Sequence, residues 1–190
     1  MRELVYYVAV SIDGFIAEPD GAFDAFPVTG DHMEALTGEF GDAVPAHAFE
    51  ALGMEPPRTR FDTVIQGRAS YQIALDAGIE RPYAHLREFV ATRSDSTPPT
   101  GITYTADPVS TARELKQEDG LDIYLCGGGE LAGSLLPEID RLVIKRYPIV
   151  FGDGIRLFGS ADPTVVTFDL VASRQFPSSG VVIEEYVRAA

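Results

Sequence analysis

Three consecutive glycines in the stretch LDIYLCGGGELAGS, residues 121–134, constrain the fold more than any other feature. The apolar run 123–126 before them is typical of a buried strand, and the residues after them favour a helix. A strand that turns tightly into a helix is a building unit of α/β proteins. Glycine also lets a ligand approach the bare N–H groups of a helix start, which attract anions. The stretch therefore predicts either a pyrophosphate-binding turn or a tight turn without a ligand.

Size and charge narrow the classes of protein that the chain can belong to. Its 190 residues suffice for a sizeable core, so we predict a single domain over residues 1–190. A net charge of −14 repels phosphate backbones, which argues against a nucleic-acid partner. No apolar run has the roughly 18 residues of a membrane helix. A single cysteine, Cys126, is typical of the reducing cytoplasm.

Strand-like and helix-like segments alternate along most of the chain, and the last two segments are both strand-like. This order predicts an α/β domain with a mostly parallel sheet flanked by helices. The turn at 177–180 predicts a C-terminal antiparallel hairpin. Residues 22–62 favour an irregular insertion or lid with short helices at 31–40 and 46–54. The predicted strands are 4–10, 63–66, 88–92, 102–105, 123–126, 141–147 with a continuation over 148–151, 168–176 and 181–187, and a further helix is predicted from Asp107-Pro108 to about Gln117.

Two further strand ends carry residues suited to an anion. The strand at 63–66 runs into Gly67-Arg68-Ala69-Ser70, where an arginine and a hydroxyl open the next helix. Arg93 follows the strand at 88–92, and a guanidinium at a strand end can hold a phosphate through two hydrogen bonds. The alternative role for Arg68 is an ion pair with a surface carboxylate.

The glycines at 127–129 also satisfy the G-x-G-x-x-G/A fingerprint of Rossmann folds. That fingerprint belongs at the first strand of its domain, and an acid follows it after about 20 residues. Here the glycines come after two-thirds of the chain, and Lys145-Arg146 stands near the end of the next strand. The ordinary Rossmann interpretation is therefore rejected.

The histidines predict no metal site. His32, His47 and His85 lack the helical spacing of a zinc helix, so we expect them to face solvent or to form local hydrogen bonds. Asp13 precedes a glycine at the end of a strand, where turn formation is its favoured role. Orienting a substrate or a water is the alternative role for Asp13.

Four stretches together resemble the dihydrofolate-reductase-like superfamily: VAVSIDGFIA at 8–17, TVIQGRASY at 63–71, IYLCGGGELAGSLLP at 123–137 and YPIVFGDGIRLF at 147–158. They occur in the family's order and span nearly the whole chain. More closely, they resemble RibD C-terminal domains, the reductase part of the riboflavin-biosynthesis deaminase–reductase. The resemblance implies a dihydrofolate-reductase-like fold, with a central sheet of about eight strands and NADPH lying across its edge.

The resemblance also implies which residues contact the cofactor. Ala9 and Ile16 would wall the nicotinamide pocket. Thr92 and Arg93 would lie at the adenosine 2′-phosphate, which favours NADPH over NADH. The phosphates would meet Gly67, Arg68, Ala69 and Ser70, and the pyrophosphate and nicotinamide end would meet Cys126, Gly127, Gly128, Gly129, Glu130 and Leu131, with Cys126 as a pocket wall and not a nucleophile.

The implied chemistry is hydride transfer from NADPH to a C=N or C=O group of a pterin- or pyrimidine-like molecule. The acid that binds the pterin in folate-reducing members would fall near Ala51, where Glu50 and Glu55 are adjacent but no carboxylate clearly fills the place. Glu50 and Asp13 are therefore only weak candidates for a catalytic acid. The riboflavin-pathway substrate carries a phosphate, for which the candidate partners are Lys145, Arg146 and Arg156.

Other functions are compatible with the same residues. One is a non-catalytic NADPH-binding module in which residues 22–62 contact a partner, and another is a flavin-binding protein. The zinc-deaminase half of the bifunctional enzyme is not expected, because the chain has a single cysteine and therefore no P-C-x-x-C motif. The expected partners are a small-molecule substrate and a second copy, bound through the sheet edge or the C-terminal hairpin.

Overall fold

Alternating strands and helices make up residues 1–159 and 165–189, the part of the chain that the computed structural model describes. The strands are β1 (Leu4–Val10), β2 (Phe15–Ala17), β3 (Phe61–Gly67), β4 (Arg87–Ala91), β5 (Ile102–Thr105), β6 (Asp122–Gly127), β7 (Arg141–Arg146), β8 (Ile155–Arg156), β9 (Phe168–Phe176) and β10 (Val181–Arg188). The helices are α1 (Met33–Glu39), a 3₁₀ turn at Gly41–Ala43, α2 (Ala46–Leu52), α3 (Arg68–Asp76), α4 (Pro108–Gln117) and α5 (Gly129–Ser134). None of these helices combines the length and the apolar character that crossing a bilayer requires.

Eight of the strands form one sheet in the order β5-β4-β3-β6-β1-β7-β10-β9. Every pairing from β5 to β7 is parallel, and β10 is antiparallel to both β7 and β9. The predicted mostly parallel sheet and its C-terminal antiparallel hairpin are thereby confirmed. The short strands β2 and β8 pair separately.

The parallel strands bring the predicted cofactor segments to one edge of the sheet. Gly67 at the end of β3 pairs with Ala91 of β4, and the neighbouring Gln66 pairs with Gly127 of β6. Strands buried on both faces need nearly continuous apolar residues, which is why β1 and β3 could be recognised in the sequence. The glycine turns follow where these apolar runs end.

The two faces of the sheet are covered by different parts of the chain. We call the face that carries Val5, Tyr7 and Tyr124 the front face, and segment 22–62 packs on it. Helices α4 and α5 cover the opposite, back face. Segment 22–62 forms the two predicted short helices and contributes a layer of the core through Phe26, Leu36, Phe40 and Ala43.

The predicted continuation of the seventh strand over 148–151 is wrong, because β7 ends at Arg146. The carbonyl of Ile149 accepts a hydrogen bond from the Ile12 N–H, at 2.9 Å. Asp13 accepts the N–H groups of Phe151 and Gly152, at 3.3 and 2.7 Å. These residues are therefore fastened to the turn after β1 instead of to a neighbouring strand.

Candidate active site

Two glycine turns meet at the carboxyl ends of β3 and β6. Gly67 and Gly128 are the N-cap residues of α3 and α5, and no side chain closes either helix start with a hydrogen bond. A Cβ atom built on Gly67 would lie 3.3 Å from the Gly127 carbonyl oxygen and 3.4 Å from the Gly128 nitrogen. The two turns are thus in backbone contact, and together their open N–H groups favour an anion. We call Gly67, Gly127 and Gly128 the glycine cradle.

Helix α5 is held close to the turn at 156–159. A Cβ on Gly129 would lie 2.1 Å from the Arg156 carbonyl oxygen, so only glycine permits this approach. Leu131 is buried in the back-face core and fixes the helix on the sheet. Glu130 lies exposed in the first turn of the helix.

Arg68 occupies the first position of α3 without an ion pair to any described residue. Its Nη2 donates to Gln72 Oε1 at 2.8 Å, and its Nη1 donates to the Tyr104 hydroxyl of β5 at 3.5 Å. The guanidinium therefore remains free of a carboxylate that would compete with a phosphate. This geometry does not show the surface ion pair that was the alternative role for Arg68.

The other phosphate candidates lie at the same corner of the sheet. Arg93 is exposed just beyond β4, and the N–H of Thr92 donates to the Thr105 carbonyl at the end of β5. Ala69 is exposed on α3, and Ser70 Oγ would lie 3.7 Å from a Cβ on Gly128. Ser70, Arg68 and Arg93 thus lie at the edge of the sheet that carries the glycine cradle.

The predicted nicotinamide residues lie next to the front-face core. Ala9 of β1 and Cys126 of β6 both pack at its margin, and Ile16 of β2 is half-buried. Burial raises the pKa of the Cys126 thiol, and the Tyr83 hydroxyl lies 3.3 Å from its Sγ. A protonated thiol is a poor nucleophile, which agrees with the predicted role of Cys126 as a wall.

The two candidates for a catalytic acid, Asp13 and Glu50, have different surroundings. The Ser11 hydroxyl donates to Asp13 at 2.6 Å and, with the N–H groups of Phe151 and Gly152, holds the pKa of that carboxyl below its usual value. Asp13 therefore fixes two loops together. Glu50 is exposed on α2.

The structure places two polar side chains of the front face, Lys145 and Gln66, in partly or fully buried positions. Lys145 is half-buried beside Ala9, with its Nζ 3.9 Å from the centroid of the Tyr7 ring. Gln66 is 2% exposed, and its Nε2 has no hydrogen-bond partner among the described residues. The sequence signal for Gln66 is weak, because a polar residue that ends an apolar strand is usually solvated.

The two other basic residues that were predicted to contact a substrate phosphate lie elsewhere. Arg146 is exposed and pairs with Glu184. Arg156 is exposed with its guanidinium 6.0 Å from the Phe15 ring. The structure therefore brings only Lys145, of the three, to the front face.

The histidines have separate environments. His32 is fully buried, contrary to a solvent-facing position, and its Nε2 lies 3.2 Å from the Tyr147 hydroxyl. His85 Nε2 lies 2.9 Å from the Asp42 carbonyl oxygen, and His47 is exposed. Within residues 1–159 and 165–189, no three metal-binding side chains come together.

Comparison with protein families gives a match to the RibD C-terminal domain over residues 58–182. The uncharacterised protein YwjB of Bacillus subtilis (strain 168) is 35% identical over 162 residues, which cover 83% of each chain.

Solved structures share the fold. A putative riboflavin biosynthesis protein from Shewanella sp. PV-4 has a TM-score of 0.69 at 21% identity, with 99% of each chain covered. A diaminohydroxyphosphoribosylaminopyrimidine deaminase/5-amino-6-(5-phosphoribosylamino)uracil reductase from Thermotoga maritima has a TM-score of 0.69 at 16% identity; the match covers 99% of the present chain and 57% of that one. A dihydrofolate reductase from Enterococcus faecalis, complexed with NADP(H), has a TM-score of 0.65 at 17% identity, with coverage of 99% and 97%.

Proposed function

Because the chain belongs to the family of RibD C-terminal domains, we propose that it is a reductase that uses NADPH. Its substrate is a pterin- or pyrimidine-like small molecule with a C=N or C=O group. The glycine cradle carries the proposal, since two open helix starts in backbone contact suit a pyrophosphate. The dihydrofolate reductase of the same fold, complexed with NADP(H), supports this choice of cofactor.

Each part of the bound cofactor has a proposed set of residues. The phosphates lie on the glycine cradle and Gly129, with Arg68, Ala69 and Ser70 beside them. The nicotinamide lies against Ala9, Ile16 and Cys126 on the front face, and α5 with Glu130 and Leu131 backs the pyrophosphate. When bound, the reduced nicotinamide supplies the hydride, and the chain's residues orient it and exclude water.

NADPH is expected to stabilise the protein more than NADH does, because Thr92 and Arg93 would contact the 2′-phosphate that only NADPH carries. At a hundredfold excess over its dissociation constant, NADPH should add about 2.7 kcal/mol. For a domain of this size that corresponds to a rise in Tm of roughly 5–10 °C. Thermal unfolding with each nucleotide measures the difference, and equal shifts would contradict a 2′-phosphate site.

Replacing Arg68 by alanine is expected to weaken NADPH binding by about 1.5–3 kcal/mol, the contribution of a hydrogen bond to a charged group. Calorimetric titration measures the change in Kd. Arg113→Ala is the matched control, because Arg113 is paired with Glu138 on the exposed side of α4. Equal affinities of the Arg68 variant and the wild type would exclude the proposed contact.

We extend the proposal to a cytoplasmic homodimer. The outer strand β9 exposes Leu170 and Val171, which are 55% and 53% accessible, and a second copy could cover them there. The chain has a single cysteine, Cys126, which is typical of a protein from a reducing compartment. If the protein binds NADPH but does not oxidise it with any pterin- or pyrimidine-like substrate, the alternative function of a non-catalytic NADPH-binding module is favoured.

A further inference from the structure

The front face carries an ammonium group that the proposed cofactor contacts do not use. Lys116 and Lys145 are the two lysines of the chain. The Nζ of Lys116 lies 2.7 Å from Asp140 Oδ2 in an ion pair. Lys145 has no such partner among the described residues, and its Nζ lies 3.9 Å from the centroid of the Tyr7 ring instead.

Keeping this ammonium half-buried without a carboxylate costs stability. A cation–π contact with Tyr7 offsets only part of the cost of desolvating the ammonium. Burial lowers the pKa of Lys145 to about 8. The titratable groups that face it are Tyr7 on β1, the Cys126 thiol on β6 and His32, whose own pKa is lowered by burial and, to a smaller extent, by Lys145. A positive group kept at such a cost indicates a functional use.

The buried carboxylates of the described residues, Asp42 and Glu88, already have partners. Asp42 accepts the backbone N–H groups of residues 58–61. Glu88 accepts Arg81 Nε at 2.9 Å and the N–H of Tyr83 at 3.1 Å. A protonated pterin ring, which needs a free carboxylate, is therefore poorly matched to this part of the molecule.

Lys145 lies next to one of the proposed nicotinamide residues. In the register of β7 and β1 it pairs with Ala9, and on its other side it pairs with the buried Ile183 of β10. Directly paired residues of neighbouring strands point to the same face of a sheet. The ammonium therefore stands beside the proposed wall of the nicotinamide.

We propose that Lys145 is the proton donor of this reductase and that the group it helps to reduce is a carbonyl, an inference that rests on the proposed function. As the hydride from NADPH reaches the carbonyl carbon, the π electron pair moves to the oxygen, and Lys145 Nζ transfers a proton to it. A C–H and an O–H bond form, while the carbonyl π bond, the C4–H bond of the reduced nicotinamide and one N–H bond of the ammonium break. The products are an alcohol, NADP⁺ and a neutral amine, which regains its proton from water.

Nuclear magnetic resonance of the lysine Cε atoms tests this assignment without turnover, because two lysines give two signals. In the full chain with NADP⁺, the Lys145 signal should titrate near pH 8. Orotate, a pyrimidine carboxylate that mimics the developing oxyanion, should raise that midpoint by about one pH unit or more, equivalent to a tenfold preference for the protonated amine. The Lys116 signal, assigned with Lys116→Met, should not move. An unchanged Lys145 midpoint overturns the inference.

Kinetics with pyrimidine-5-carbaldehyde as a carbonyl probe give a second test. Lys145→Met should lower kcat by on the order of 100- to 1000-fold, the usual contribution of a general acid, and leave the Kd of NADPH unchanged. In the wild type, kcat/KM should fall as the pH rises above about 8, where the amine loses its proton. The methionine variant should lack this fall, and Lys116→Met should behave as the wild type does.

Several outcomes would overturn the proposal. These are an undiminished kcat of Lys145→Met, no oxidation of NADPH with the aldehyde, or a preference of the wild type for 7,8-dihydrofolate. Failure of NADPH to bind the wild type would instead contradict the proposed function. If NADPH binds the wild type but orotate does not move the titration midpoint of Lys145, only this inference is contradicted.

Discussion

Replacing Asp42 by alanine is expected to lower the free energy of unfolding by about 3–5 kcal/mol, because shielded N–H groups would lose a charged acceptor. Asp42 is fully buried in the 3₁₀ turn after α1. Its Oδ1 accepts the N–H of Arg58 at 2.6 Å, and its Oδ2 accepts those of Thr59, Arg60 and Phe61 at 2.9, 2.7 and 3.0 Å. Water can reach the exposed Arg58 and Thr59, so most of the cost arises at the other two amides.

Urea denaturation measures this loss as a lower midpoint at an unchanged m-value. Asp42→Asn keeps one carbonyl acceptor in place and should therefore cost less than the alanine variant. Asp95→Ala, at an exposed loop position, should change the stability by no more than about 0.5 kcal/mol. An Asp42→Ala variant as stable as the Asp95 control would mean that the carboxylate does not organise the start of β3.

Asp42 also shows how structure and substrate choice are connected. Its carboxylate holds the chain that enters β3, the strand that ends in Gly67, so the position of the glycine cradle depends on it. A carboxylate committed to four amides is not available to bind a pterin. Local sequence could not reveal this role, because the amides lie well beyond α2 in the chain.

The parts of the fold that could be predicted are those fixed by local pattern. The continuous apolar residues of β1 identify a buried strand, and Asp107 accepts the Ser110 N–H at 3.0 Å as an N-cap, just where a helix start is predicted. The prediction of a strand continuation over 148–151 was wrong because distant contacts, and not the local apolar pattern, decide the structure there. The amides and carbonyls of residues 149–151 bond to the turn after β1, which no local pattern records.

The candidate site likewise contains residues that could be predicted from local sequence and residues that could not. The glycine turns and Arg68 could be predicted, because a strand, its glycines and the next helix are contiguous in sequence. The placement of Lys145 could not, because it depends on the register between β1 and β7, which are far apart in the chain. Gln66 looks like an ordinary polar residue until the neighbouring strands bury it.

Replacing Gly128 by alanine is expected to raise the Kd of NADPH on the order of 100- to 1000-fold, or about 3–4 kcal/mol, by placing a methyl group where the pyrophosphate would approach. Gly128 has φ −82° and ψ −169°, which alanine also adopts. The new Cβ would lie 3.7 Å from Ser70 Oγ, an ordinary contact, so the fold should persist. Fluorescence titration with NADPH gives the affinity, and circular dichroism with thermal unfolding reports the fold.

Two further glycine variants show whether a loss of NADPH binding comes from filling the glycine cradle or from damage to the fold. Gly38→Ala in α1 meets no atom within 4 Å and should leave both the affinity and the Tm nearly unchanged. Gly129→Ala would press its Cβ to 2.1 Å from the Arg156 carbonyl oxygen and should lower both together. Only Gly128→Ala should lose NADPH while keeping its Tm. If it binds NADPH as tightly as the wild type does, the pyrophosphate does not lie on the glycine cradle, and the proposed cofactor site is wrong.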